Sequence, residues 1–229
     1  MRDDLATWCR IREQVDWAAA ARPVDGPVTG LRDGIVDFVR GPVAARDPAR
    51  AVRLLTAVGQ ARATALPLSY ELLAGWQATV LGVPEVGFRR GPAYAKGGRE
   101  RYGLAADTAE RFRRCLAQAA DAEPPLAARA ARAYLDVAFF HPFPDGNGRA
   151  AMLALDAVLR RHGVVLDQVA PILLVARRAD DPDGARGLAG LIDVLIAATR
   201  RRARRTPHSG RWQTASTLLP SGSRTNVPK

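Results

Sequence analysis

Lysine is nearly missing from this 229-residue sequence: only Lys96 and Lys229 occur, so the formal net charge of +11 is almost entirely arginine. In a chain this rich in alanine, GC-rich coding produces the same bias, so it does not by itself call for a polyanionic partner. The distribution argues further against nucleic acid. From Arg200 onward there are seven arginines, one lysine and no acidic residue, which leaves only +3 for residues 1–199. Cysteine is also scarce. Cys9 and Cys115 are too few for a disulfide framework and too far apart for a metal-ligand spacing, so they read as small apolar fillers. No apolar run is long enough to cross a bilayer, and Met1-Arg2-Asp3-Asp4-Leu5 lacks the basic-then-apolar signature of a signal peptide. The expectation is a cytoplasmic protein without a membrane partner.

What is present is mostly helical periodicity, without an internal repeat. Asp4 to Ala21 reads as a helix through Leu5, Trp8, Ile11 and Val15, broken by Pro23, Gly26 and Pro27. Leu31 to Val39 is a short amphipathic segment, and Pro48 to Ala63 is a helix that starts after the N-cap Asp47 with proline at its first position. Ser69 caps a helix that runs to Leu81 and stops at Gly82. Residues 86–103 break this texture: five glycines, scattered aromatics and no helical period predict a short hairpin or irregular flap. Helix returns over Ala105 to Ala120 and Leu126 to Phe140. The latter is apolar on most faces, as a buried central helix should be. Gly148 to His162, Val164 to Ala176 and Leu188 to Arg202 are expected to be helices as well. The run Arg200 to Arg205 has two readings, a solvated helix end suited to the dipole or a basic binding arm, and the near absence of aromatics around it favours the first.

The chemistry concentrates in His141-Pro142-Phe143-Pro144-Asp145-Gly146-Asn147-Gly148-Arg149. The two prolines keep the preceding helix from running into the next, so His141 ends one helix and Gly146 to Arg149 begin another. Unpaired N–H groups at that second end, left open by Gly146 and Gly148, make an anion nest. Asp145 beside it suits a magnesium ion bridging phosphate oxygens, and Arg149 can fork onto phosphate. His141 is the base. Taken singly, His141 would be a capping histidine and Asp145 a turn residue; together they point to phosphoryl or nucleotidyl transfer. His162, in the last turn before Gly163, reads instead as structural.

This stretch resembles the signature of the Fic family, His-x-Phe-x-Asp/Glu-Gly-Asn-Gly-Arg-x-x-Arg, and matches it from His141 through Arg149 without a gap. The resemblance implies an all-α fold, a helical bundle with a short β-hairpin flap. It covers about residues 65–200, the core; the helical pattern of residues 1–64 reads as an N-terminal helical region, and the Ser, Thr, Gly and Pro content of 206–229 as a disordered basic tail. The resemblance also implies transfer of AMP from ATP, with Mg2+, to a hydroxyl of a target protein. His141 would take the hydroxyl proton and Asp145 would hold the metal. Gly146, Asn147, Gly148 and Arg149 would hold the phosphates, and the flap would pair with an extended target segment. An antitoxin acting in trans is the further partner the family suggests. Tyr94 and Tyr102 in the flap read equally as target contacts or core anchors.

The departure from the family pattern is Met152, where a second arginine normally contacts the outer phosphates. A donor with fewer phosphates, or an arginine from elsewhere such as Arg89, Arg90, Arg99 or Arg101, would reconcile it. The Doc branch also lacks that arginine and phosphorylates its target, but it carries Ala-Asn-Lys where this chain has Gly146-Asn147-Gly148. The rival outside the enzyme class is a Fic domain that binds without turnover. None of the six glutamates has Ser or Thr four residues before it and Gly or Asn after it, so the family's inhibitory helix is not expected.

Overall fold

The computed structural model describes residues 2–205; the expected tail falls outside them. In chain order the elements are α1 (Asp4–Gln14), β1 (Val28–Thr29), α2 (Gly34–Phe38), α3 (Ala44–Arg46), α4 (Pro48–Ala63), α5 (Tyr70–Leu81), β2 (Ala93–Ala95), β3 (Glu100–Tyr102), α6 (Thr108–Ala117), α7 (Leu126–Phe140), α8 (Asn147–Arg161), β4 (Val164–Val165), α9 (Ala170–Leu173) and α10 (Pro182–Arg205). A π-helical turn at Val39–Val43, with Pro42 inside it, joins α2 to α3. The described fold is a helical bundle with a hairpin flap, β2 pairing antiparallel with β3.

The centre is α7, in which every residue except Ala138 is buried. Its alanines let neighbours approach closely, and α8 and α10 lie against it. The one carboxylate in this helix, Asp136, is fully buried and fully used. It accepts Arg12 Nε at 2.7 Å, Arg12 Nη2 at 2.9 Å and Trp8 Nε1 at 3.0 Å, which docks α1 onto the core. Leu5, Trp8, Leu54 and Val58 share one apolar cluster with α7 and α8, so residues before position 65 contribute to the same interior.

Local signals set most boundaries. Asp47 Oδ1 accepts the N–H of Arg50 at 2.9 Å, Ser69 Oγ accepts that of Leu72 at 3.3 Å, and Gly82 closes α5 in the left-handed region at φ +71°. Two expectations need correction. The first helix ends at Gln14, seven residues early, because the chain turns to bury Trp17, whose Nε1 donates to Arg12 O at 3.0 Å. Val164 to Ala176 is mostly not helix. Val164 and Val165 pair parallel with Val28 and Thr29, leaving only the single turn α9 beyond. Helix α10 is longer than expected, and its arginine-rich end is tied down: Arg202 grips Asp167 through two 2.5 Å contacts.

Candidate active site

Proline and glycine build the loop between α7 and α8 as anticipated. His141 closes α7 in the left-handed region at φ +47°, its N–H bonded to Val137 O at 3.2 Å. Gly146 opens α8 at φ +75°. That backbone favours glycine, and space demands it too: a Cβ at Gly146 would lie 2.4 Å from Gln77 Nε2 and 2.7 Å from Arg149 Nη2. Between these ends Phe143 is fully buried and stacks on Tyr70, ring centroids 6.0 Å apart. Asn147 braces the loop with its whole side-chain amide: Oδ1 accepts Phe143 N and Nδ2 donates to Phe143 O, both at 2.9 Å. A phosphate at Asn147 would therefore meet its backbone N–H rather than its side chain.

The imidazole of His141 is fixed by two contacts. Nδ1 lies 2.6 Å from Ala138 O, a contact that requires a proton on Nδ1 and leaves Nε2 with its lone pair. The ring stacks on Tyr102 at 4.3 Å between centroids and 12° between planes. Tyr102 is buried, its hydroxyl donating to Glu100 Oε2 at 2.6 Å, so it anchors the base instead of reaching a target; Tyr94 is exposed. Burial pushes the His141 pKa below the ordinary imidazole value; the Arg89 charge acts in the same direction, opposed by the Ala138 carbonyl and Glu100. A neutral base with a single free nitrogen is the result.

At the start of α8, the N–H groups of Asn147 and Gly148 have no acceptor among the described residues. The N–H of Gly146 is taken by Asp145 Oδ1 at 2.6 Å, and Asp145 Oδ2 lies 3.3 Å from Arg149 Nη2. Here the Asp145 carboxylate occupies the position that an incoming phosphate oxygen would take. With 75% of its side chain exposed it is free to swing aside. Arg149 Nε is buried without a partner among the described residues. Among the described residues no three His, Cys, Asp or Glu side chains converge on a metal. One exposed carboxylate at a phosphate nest does fit magnesium that arrives with a nucleotide, since that ion takes one or two carboxylates plus phosphate oxygens.

These residues line a cleft of about 630 Å³, formed by His141 and residues 143–148 on one side and residues 89–94 of the flap on the other. That volume suits a nucleotide. The flap's base is pinned. Arg89, 6% exposed, directs its guanidinium onto the carbonyls of Gly91, Gly103 and Phe140, while its N–H donates to Pro142 O at 2.8 Å. Asp3 Oδ1 accepts Gly103 N at 3.0 Å, and Asp4 Oδ2 accepts Arg101 N at 2.9 Å. The outer edge of β3 is thus satisfied from the start of α1, and β2, whose Ala93 and Tyr94 line the cleft, is the edge on the cleft side. Of the four flap arginines considered for the missing phosphate contact, Arg89 lines the cleft but is spent on carbonyls, Arg99 bonds Lys96 O and Arg101 sits 3.7 Å from Asp3, which leaves Arg90, also in the cleft wall. Sequence reasoning missed Gln77, Arg89 as a clamp and Tyr102 as a support for the base, because each acts from outside the motif across a tertiary contact.

A base with a free imidazole nitrogen, a helix N-terminus with open N–H groups and a guanidinium, set in a helical bundle, define a scaffold for phosphate-group transfer. Residues 67–159 match the model of the Fic/DOC family. No curated protein sequence matches the chain. Among solved structures, one described as the crystal structure of IbpAFic2 covalently tethered to Cdc42 has the same fold, with a TM-score of 0.53 at 11% identity, covering 85% of this chain and 70% of that one. No helix among the described residues is long and apolar enough to cross a membrane.

Proposed function

We propose that the protein is a Fic-type nucleotidyltransferase that moves AMP from Mg-ATP to a hydroxyl side chain of a target protein. The observation that carries this reading is His141: a half-buried, neutral imidazole whose Nδ1 is locked on Ala138 O, so that only Nε2 can accept a proton at the cleft. In this mechanism Nε2 removes the proton from the target hydroxyl as its oxygen attacks the α phosphorus. The bond to the β-phosphate oxygen breaks, and pyrophosphate leaves. The N–H groups of Gly146, Asn147 and Gly148, with the Arg149 guanidinium, hold the phosphate oxygens at the positive end of α8. Asp145, displaced from the nest by the incoming phosphate, is the carboxylate for magnesium, which supplies charge neutralisation on the phosphates when bound. The edge of β2 takes an extended target segment by main-chain hydrogen bonds. A protein target accords with the neighbouring structure, whose description has its Fic domain tethered to Cdc42.

Met152 favours a second reading, transfer of the γ phosphoryl group, because no side chain at that position grips the outer phosphates. Both readings meet in one experiment. The protein and His141→Ala are incubated in lysate with magnesium and ATP labelled at the α or the γ position. We expect His141-dependent α label on protein, lost by roughly 10²-fold or more in the variant. Label from the γ position alone makes the protein a kinase, and the absence of any His141-dependent label overturns the enzyme assignment.

A further inference from the structure

The nest at the head of α8 opens in two directions. Gly146 and Gly148 line the cleft that holds His141, and they also line a second cavity of about 260 Å³ on the other side of the helix start, bounded by Arg149, Met152, Leu54, Phe38, Tyr134 and Leu173. An anion chain lying on the nest with one end at His141 therefore has its other end at this second cavity. Met152, 3% exposed, brings no charge to that wall.

Charge does come from α4. Leu54 stands in the cavity wall, and Arg50 is one turn earlier on the same face of that helix. Its side chain is only loosely occupied: Nε lies 3.3 Å from Asp47 Oδ2, with both side chains partly exposed. Next to Leu54, Arg53 donates through Nε to Val80 O at 3.2 Å, which leaves its terminal nitrogens uncommitted. Both guanidiniums press on that of Arg149, whose pKa is held below the ordinary value by burial first and then by their repulsion, with Asp145 pulling the other way. Arg149 thus lines the cavity with the charges of Arg50 and Arg53 acting on it from α4; the nearby carboxylates are Asp145 and Asp47, and among the described residues Arg149 Nε is buried with no acceptor. Like charges gathered around an unmatched buried donor are stable with a polyanion between them.

We propose that Arg50, backed by Arg53, is the outer-phosphate contact of this site: α4 supplies from outside the motif the cation that position 152 lacks, and the ligand class is an oligophosphate, the triphosphate end of a nucleotide. The inference rests on the proposed function for the orientation of the donor, but the anion site itself does not depend on turnover.

The test is calorimetric titration of the full chain with inorganic triphosphate, Mg-ATP and AMP. In Arg50→Ala, triphosphate and Mg-ATP are expected to weaken by roughly tenfold or more, as for loss of a charge-assisted hydrogen bond, with AMP unchanged. Arg50→Lys is expected to recover part of the loss, and Arg46→Ala, which removes an exposed arginine of the neighbouring segment, to leave all three ligands unaffected. Because Met152 lines the same cavity, Met152→Arg in the Arg50→Ala background is expected to restore triphosphate binding. Triphosphate affinity indifferent to Arg50, or no binding of triphosphate by the natural chain, overturns the inference. Equal weakening of Mg-ATP and AMP does so as well. Arg50-dependent triphosphate binding without label transfer from ATP would defeat the proposed function and leave this site standing; label transfer with Arg50-independent affinity would do the opposite.

Discussion

An aspartate followed four residues later by an arginine stands at each end of α8, and the two pairs are built for different ends. At the C-terminal end Asp156 is 7% exposed and accepts Arg62 Nε at 3.2 Å and Arg160 Nε at 3.1 Å, while Asp33 takes both arginines from outside. Every charge there has its partner. At the N-terminal end Asp145 is 75% exposed, its ion pair with Arg149 is 3.3 Å long, and Arg149 Nε has no acceptor among the described residues. The same residue types form a closed network at one end and an unfinished one at the other. The unfinished end lies beside the cleft, and a site for an anion should look so: donors are organised by the fold and left short of acceptors until a ligand arrives.

Removing the aspartate from each end tests that contrast most strongly. Asp156→Ala takes a buried carboxylate from between two arginines and should cost about 3 kcal/mol in urea unfolding. Asp145→Ala breaks an exposed pair and should move stability by less than about 0.5 kcal/mol. Comparable losses at the two ends would mean that Asp145 is structural as well.

The glycines of the open end separate backbone need from access, with a smaller effect. Gly146→Ala imposes a side chain at φ +75°, costing about 1–2 kcal/mol for the left-handed backbone alone, and it also pushes on Gln77 and Arg149. A Cβ at Gly148 meets nothing within 4 Å, so Gly148→Ala should leave the melting temperature in place while obstructing phosphate on the nest. Stability and triphosphate titration of both variants check this. If Gly148→Ala destabilises the chain as much as Gly146→Ala, its absent side chain serves packing and not the ligand.

How legible these ends were follows from how local their causes are. Asp47-Pro48, Ser69 and Gly82 act on adjacent backbone, so α4 and α5 can be bounded to within a residue from sequence, and the prolines and glycines between His141 and Gly148 place the loop. Val164 and Val165 were misread as helix because their partner strand is 136 residues earlier, and apolar residues in a short run carry no sign of it. The supports of the site share that property: Gln77 holds the Asp145 carbonyl at 2.7 Å, Tyr102 lies on the His141 ring and the Arg50 charge acts on Arg149, none of them with a pattern of its own. The reacting groups were readable as a motif, while the residues that tune them are visible only once the chain is folded.

Histidine marks both ends too, and pH separates them last and least. His141 and His162 both have pKa values lowered by burial, with Arg89 adding to the first, and Arg129 and Arg161 to the second. A folded pKa below the unfolded value means that the unfolded chain takes up the proton first. Both groups therefore cost stability as pH falls below about 6.5, until each folded pKa is reached. For activity only His141 matters, and it acts when neutral. The rate kcat/KM should stay level through pH 7 and past 6.5, then decline about tenfold per pH unit below the His141 pKa. His162→Gln should shrink the acid destabilisation and leave that limb where it was. Label transfer measured from pH 5 to 8 decides the matter: a limb centred at or above 6.5, or one that moves with His162→Gln, removes the base role from a shielded His141. A limb below 6.5 that ignores His162 ties the chemistry to the open end of α8 and the packing to the closed one.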